Sequence, residues 1–485
     1  MSPKRPAIST KKRRHPLTIL SSTPSAIKFG TDGWRARIAD DFTFDNLQLV
    51  TEAFINYLKA SQMTAPVAIG YDNRFQSETF AKHVARICSG AGIKVQLFKA
   101  VVSSPTTSFH VNQNNLAAGI MITASHNPPE WNGFKIKESF GGSAWVATTA
   151  AIEKNLKTKP TVILTETNIK LVDPKPAYFA KLKSLVNREK IKKANLNMII
   201  DPMFGSGIGY FKELGLAVTE IRNYRDPLFG GVNPEPLPIN LEDTFSFVRE
   251  SSLVHQDKLT ACIILDGDAD RVAAIDATGA FINTHQVLTL LIYHLVNNRQ
   301  MSGDIIKTFN ISQLVDKLCQ KYHRKLYVTP IGFKHVAKLM MEKDILIGGE
   351  ESGGMGIKGY IPERDGVLMG LLLFELMAYE NKTLGQILDE IMQKLGYFYY
   401  DRTDLHTEKA QDIVKKLKTA PPKEFAGKKV AQVEDLDGLK FYFENESWIL
   451  FRASGTELLL RIYVEGRTPN EVKQILGAGE ALLSL

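Results

Sequence analysis

Ala261-Cys262-Ile263-Ile264-Leu265-Asp266-Gly267-Asp268-Ala269-Asp270-Arg271 is the stretch from which the rest of this chain is read. A short apolar run bounded by turn residues reads as a buried strand, and it empties directly into a loop. That loop carries three carboxylates at alternate positions, which repel one another unless something positive sits among them. A divalent cation removes the repulsion, and an all-oxygen donor set favours Mg²⁺. An EF-hand is excluded, because its sixth position would be Arg271 instead of Gly and its twelfth Ala277 instead of Glu.

Outward from this loop, apolar runs alternate with helix-like segments. Val67–Gly70 is followed by the polar loop Tyr71-Asp72-Asn73-Arg74, a helical stretch from Gln76 and a second run at Ile93–Phe98. Similar units start at Asn197–Ile200 and Asp304–Ile306, with second runs at Leu216–Ile221 and Lys325–Val328. Strand, crossover helix, strand is the parallel α/β unit. The 485 residues allow two to four domains at about 150 residues each. We expect an α/β fold: three related α/β domains over 27–170, 171–277 and 278–394, then a smaller α+β domain over 395–485. Residues 1–26, rich in Lys, Arg, Ser and Pro, read as a disordered basic tail.

Three further loops follow apolar runs. Thr123-Ala124-Ser125-His126-Asn127-Pro128-Pro129 offers a serine hydroxyl in a loop stiffened by two prolines, either a nucleophile or a plain Ser/Asn-Pro turn. The chain has no Gly-x-Ser-x-Gly, which weakens a serine-hydrolase reading. Gly348-Gly349-Glu350-Glu351-Ser352-Gly353-Gly354 presents carboxylates and a hydroxyl suited to sugar hydroxyls. Its glycines at 354, 356 and 359 fit a dinucleotide fingerprint, but Tyr360-Ile361-Pro362 opens no helix where one is required. Arg452-Ala453-Ser454-Gly455-Thr456-Glu457 combines a guanidinium, two hydroxyls and a Gly turn, a cradle for phosphate; the Walker sequence is absent. Arg35 in a Gly-rich turn, Lys135 and Lys334 add cations on loops.

The net charge of +8 suggests a polyanion partner until it is located. Seven basic side chains and no acidic one fall within residues 1–28; the remaining 53 basic side chains nearly match the 52 acidic ones. The three cysteines, Cys88, Cys262 and Cys319, are far apart and form neither a disulfide framework nor a zinc site. No apolar run approaches the roughly 18 residues of a membrane span. A cytoplasmic enzyme is expected, with an organelle transit segment or an inert upstream start as the leading readings of the tail, ahead of a nuclear-type basic cluster.

Nucleophile loop, metal loop, sugar-type loop and phosphate cradle occur once each, in that order. This pattern resembles the α-D-phosphohexomutase family, and most of all its phosphoglucomutase/phosphomannomutase members. Thr-Ala-Ser-His-Asn-Pro with Asp-Gly-Asp-Ala-Asp-Arg carries the resemblance. It implies a heart-shaped protein whose four domains each give one loop to a central cleft. It further implies that Ser125 is a catalytic phosphoserine and that Asp266, Asp268 and Asp270 hold one Mg²⁺ with a phosphoserine oxygen. Arg35, Lys135 and Lys334 would lie near the transfer site. Glu350 and Ser352 would bind sugar hydroxyls, and Arg452, Ser454, Gly455 and Thr456 the non-reacting phosphate. Arg271 and His126 would also contact substrate. The activity implied is interconversion of hexose 1- and 6-phosphates through a hexose 1,6-bisphosphate. Glucose leads because the loop reads Gly-Glu-Glu-Ser-Gly. The following Gly departs from the aromatic residue of many phosphoglucomutases, which brings in mannose. Phosphomannomutase, phosphoglucosamine mutase and a phosphoserine-dependent sugar phosphatase are the alternatives. The partner is then a hexose phosphate, with no nucleic acid or membrane, and the protein a monomer or homodimer.

Overall fold

The computed structural model describes residues 27–30, 32–454 and 458–484. The basic tail, and Gly455 and Thr456 of the expected phosphate cradle, lie outside the described residues. Four sheets follow one another along the chain. The first has six strands, with Val67–Tyr71 and Ala118–Ile122 parallel at its centre and Trp131–Glu138 and Gly33–Arg37 added antiparallel on one side. Both central strands are buried along their whole length, as a strand covered by helices on two faces must be. The opposite edge strand, Ile169–Val172, pairs with Val95–Phe98, so the first sheet runs two residues past the expected break at 170.

In the second sheet Leu259–Leu265 lies between Leu196–Asp201, parallel, and Val272–Asp276, antiparallel. Phe281–Ile282 completes one edge beyond the break expected at 277. The run expected at Leu216–Ile221 forms only the short strand Thr219–Glu220. The third sheet is built on Asp304–Thr308 between Leu326–Thr329 and Ile345–Gly349, all parallel, with Met355–Ile357 antiparallel at the edge. The fourth sheet is antiparallel throughout: five strands from Glu424–Phe425 to Leu459–Gly466 follow one another as a meander, Tyr399–His406 pairs beside Leu459–Gly466, and the helices Ala410–Thr419 and Pro469–Glu480 cover the sheet.

One apolar core is shared by the second and third sheets, whereas the first and fourth have cores of their own. The shared core is organised around the helix Gly366–Glu380, apolar on every side and therefore buried rather than amphipathic. Its N-cap is Asp365, which accepts the Leu368 N–H at 2.9 Å. That cap fixes where the preceding Glu363 and Arg364 enter the site. In each of the first three sheets, the loop singled out above leaves the C-terminal end of a central parallel strand, where ligands bind in open α/β sheets.

Candidate active site

The strand Ala118–Ile122 delivers Thr123 and Ser125 into a loop held from behind. Thr123 donates its hydroxyl to Asp72 at 2.6 Å and accepts the Ser125 N–H at 2.9 Å. Ser125 has φ 54°, left-handed backbone that a non-glycine residue adopts at a cost of about 1–3 kcal/mol. The buried guanidinium of Arg74 holds it there. Nη2 donates to the carbonyls of Ser125 and Asn127, both at 2.6 Å, and Nη1 to those of Pro128 and Trp131 at 2.8 and 3.1 Å. Asp72 balances Arg74 at 3.3 Å. Burial holds the Asp72 carboxyl above its ordinary value, against the pull of Arg74 and of hydrogen bonds from Ser77 and Thr123.

Ser125 Oγ donates to Asp266 Oδ2 at 2.9 Å, so the nucleophile loop and the acidic loop meet. Close approach of the two backbones requires glycine at 267, where a Cβ would come within 2.4 Å of the Ser125 carbonyl oxygen. Asp266, Asp268 and Asp270 are buried, with one carboxylate oxygen of each within 4.8 Å of the others. Lys135 Nζ reaches Asp268 at 2.7 Å and Asp270 at 3.4 Å, and the Ser104 hydroxyl also donates to Asp268. Arg364 pairs with Asp270 at 2.8 Å. Asp268 Oδ1 and Asp270 Oδ1 nonetheless have no hydrogen-bond partner. Two buried, unpartnered carboxylate oxygens in an all-oxygen cluster are what a hard divalent cation would satisfy, and the residues fit Mg²⁺. Burial and the neighbouring Asp268 and Asp270 push the Asp266 carboxyl well above its ordinary value. Burial acts on Asp268 in the same sense, but Lys135 and the hydrogen bonds of Ser104 and Ser125 overcome it and hold that group well below.

Arg35 donates to Asn127 Oδ1 at 3.1 Å and to Asp32 at 3.2 Å. It lies on Gly33–Arg37, the strand paired with the one that carries Lys135. Burial disfavours the Lys135 ammonium, but Asp268, Asp270 and Asp32 outweigh this and raise its pKa. His126 is half-buried and neutral, its pKa depressed by burial and by Arg271, Arg35 and Lys135. Arg271 pairs with Glu235 at 3.3 Å and stands 3.9 Å from both Asp266 and Asp270.

The third loop joins the second directly: Arg271 and Gly354 form an isolated antiparallel bridge. Glu350 is buried and accepts from Arg364 at 3.1 Å, so one guanidinium ties the acidic loop to the sugar-type loop. Ser352 and Glu351 line a cavity of about 200 Å³ together with His285, Tyr400 and Arg402. Glu351 is clasped by Arg402 and by the Tyr400 hydroxyl, each at 3.0 Å, which links this loop to the fourth domain. Arg452 lies near the end of the strand Trp448–Ala453 and pairs with Asp437 at 2.9 Å. Lys334 is the neighbouring cation; burial lowers its pKa, Asp437 opposes this, and Arg452 adds to it.

Direct contacts therefore join Ser125, Asp266, Asp268, Asp270, Lys135, Arg35, Arg271 and Glu350 into one network, with His126 beside Ser125. Arg452 pairs with Asp437, whose charge is also felt by Lys334, while the Ser454 N–H donates to the Leu459 carbonyl at 2.8 Å. Sequence reasoning did not single out Asp32, Asp72, Arg74, Ser104 or Arg364. The polar loop after the strand Val67–Tyr71 signals Asp72 and Arg74, as it leaves a buried central strand just as the acidic loop does.

Models of the phosphoglucomutase/phosphomannomutase family match all four domains: alpha/beta/alpha domain I over residues 26–162, domain II over 176–279, domain III over 283–395 and the C-terminal domain over 410–478. The chain belongs to this family. Its members are isomerases of the intramolecular phosphotransferase kind, and the fold expected from the sequence is the one found. A putative phosphomannomutase from Thermus thermophilus has a solved structure that superposes with a TM-score of 0.85 at 34% identity, covering 95% of this chain and 100% of that one. A phosphoglucomutase/phosphomannomutase of Thermococcus kodakarensis is 28% identical over 94% of this chain and 98% of its own length. A probable phosphoglucosamine mutase of Methanothermobacter thermautotrophicus is also 28% identical, over 92% and 95%. The relatives carry three different sugars in their names. No helix among the described residues is long and apolar enough to cross a membrane.

Proposed function

We propose that this enzyme interconverts hexose 1-phosphate and hexose 6-phosphate, glucose before mannose, through a phosphoserine at Ser125. The observation that carries the reading is the Ser125 hydroxyl, donating at 2.9 Å into a buried carboxylate triad beside the ammonium of Lys135. Phosphoryl transfer asks mostly for positioning and charge stabilisation, and this arrangement supplies both. Asp266, Asp268 and Asp270, with an oxygen on Ser125, would hold Mg²⁺, which offsets negative charge on a moving phosphoryl group.

The chain's own groups account for the remainder. Lys135 and Arg35 flank the Ser125 loop and stabilise charge as the phosphoryl group leaves the serine oxygen for a free sugar hydroxyl. The P–O bond to Ser125 breaks as the bond to the sugar oxygen forms, and the proton given up by the sugar hydroxyl is balanced by the one Ser125 Oγ takes up, giving a hexose 1,6-bisphosphate. The bisphosphate turns over, and its other phosphate returns to Ser125. Glu350 and Ser352 hold sugar hydroxyls; neutral His126 and Arg271 contact the substrate near the acidic loop. Lys334 flanks the phosphate subsite, where Arg452, Ser454, Gly455 and Thr456 grip the phosphate that is not reacting. That grip accepts either end of the sugar, so one transfer site serves both half-reactions.

The test is a panel of glucose, mannose, glucosamine and N-acetylglucosamine 1-phosphates with Mg²⁺ and trace bisphosphate, together with intact-mass analysis of Ser125. Glucose 6-phosphate formed fastest, with one phosphate on Ser125, is the expected result. Free phosphate in excess over isomerised sugar would make the protein a phosphatase. Turnover that survives Ser125→Ala would remove the nucleophile.

A further inference from the structure

The loop Asp72-Asn73-Arg74 takes no part in the chemistry above, yet each of its side chains grips a different part of the site. Asp72 accepts the Thr123 hydroxyl, and Thr123 in turn accepts the Ser125 N–H. Arg74 collects four carbonyls of residues 125–131 on one buried guanidinium. Asn73 Nδ2 reaches into the second domain, donating to the carbonyls of Phe204 and Gly205 at 3.0 and 2.8 Å. The turn it holds supports the acidic loop, because the Ser206 N–H donates to the Gly267 carbonyl at 2.9 Å. Three consecutive residues thus fix the serine loop from one side and the base of the acidic loop from the other.

We propose that Asp72-Asn73-Arg74 is a positioning element that sets Ser125 Oγ against the Asp266–Asp270 loop, with Arg74 its principal positioning residue. None of the three side chains need touch substrate. Their effect is on the line along which the phosphoryl group travels, and a displacement of about 1 Å there costs on the order of a hundredfold in rate. A planar guanidinium suits the task because its donors point in fixed directions at several carbonyls, whereas an ammonium has three rotatable donors and no fork. The left-handed backbone at Ser125 makes the grip necessary, since that conformation persists only where its surroundings enforce it.

The proposal rests on Ser125 as the phosphorylated residue, and the experiment separates the two. Wild type, Arg74→Lys and Asn73→Ala are compared by kcat and KM for the hexose phosphate, by Mg²⁺ affinity and by the ³¹P resonance of the phosphoenzyme. Arg74→Lys keeps a cation beside Asp72; Asn73→Ala leaves Arg74 untouched and decides the matter if the lysine variant does not fold. Expected in each is a fall in kcat, roughly tenfold to a hundredfold for Arg74→Lys, with KM and Mg²⁺ affinity within about twofold and a displaced ³¹P signal. Wild-type kcat in both variants, or a raised KM at unchanged kcat, overturns the positioning role. A wild-type protein with no phosphate on Ser125 overturns instead the reading beneath it.

Discussion

Lys135→Met is expected to tighten Mg²⁺ binding while it slows turnover. Lys135 is buried, with Asp268 at 2.7 Å, Asp270 at 3.4 Å and Asp32 at 3.8 Å. Methionine keeps much of the stem's bulk and removes the charge. In the metal-free protein this strips the carboxylates of a buried partner, a change that costs about 3–5 kcal/mol. With Mg²⁺ present the loss shrinks, because the ion supplies the missing positive charge. A unit charge at about 4 Å is worth about 4 kcal/mol at an effective dielectric of 20, close to a thousandfold, so removing the ammonium should raise divalent affinity by up to about that factor. Turnover moves the other way, since Lys135 no longer offsets charge on the phosphoryl group. Thermal unfolding with and without Mg²⁺, a metal titration and initial rates read all three effects. General damage would weaken metal binding and activity together. Mg²⁺ affinity unchanged or reduced, in a variant that melts as a folded protein, would refute the view that ammonium and cation compete for these carboxylates.

Gly267→Ala puts a methyl group within contact of the Ser125 carbonyl, where the space is 2.4 Å, so initial rates should fall on the order of a hundredfold as the two loops separate. Asp365 has its carboxyl pushed up from 3.8 to about 6, chiefly by burial. Its stabilising contribution is complete below about 4 and is lost as pH rises through 6, a loss of about 3 kcal/mol. Asp365→Asn, which keeps an acceptor for the Leu368 N–H, should therefore gain on wild type in denaturant unfolding between pH 4 and 7; a constant difference across that range would count against it. Asp437→Asn frees Arg452 from a half-exposed partner worth roughly 0.2–1 kcal/mol and should lower KM for the sugar phosphate by up to about fivefold.

The site was legible wherever a residue's chemistry could be inferred from its neighbours in sequence. Asp266, Asp268 and Asp270 announce themselves because three carboxylates in five residues demand a counter-charge, and Ser125 because its loop leaves an apolar run. Asp72 and Arg74 escaped because each residue alone is an ordinary loop residue. Their role comes from partners 51 to 57 positions away, which only the parallel pairing of Val67–Tyr71 with Ala118–Ile122 brings together. Arg364 escaped for the same reason, since its partners Asp270 and Glu350 come from two sheets. The strand order was equally hidden: an antiparallel strand on the edge of each of the first three sheets leaves no mark in a pattern that shows only apolar runs and helices. The short second strand at Thr219–Glu220 shows the converse, as apolar content across Leu216–Ile221 is no guarantee of pairing.

Charge distribution separates the net positive charge of the chain from the cations of the candidate site. The excess positive charge of the chain lies within residues 1–28, and the remainder is almost balanced. The same balance holds inside the site: Lys135, Arg35, Arg271, Arg364 and Arg452 each have a carboxylate at 3.3 Å or less. A passing anion meets paired charges there, with little long-range pull. On the proposed reading, a sugar phosphate would have to displace Asp437 from Arg452, which favours a ligand whose hydroxyls and phosphate together replace what they disrupt. Every one of these cations already has a carboxylate partner, so under the proposed function a phosphorylated sugar should compete for the site at lower concentration than inorganic phosphate does; equal inhibition constants for the two would refute this.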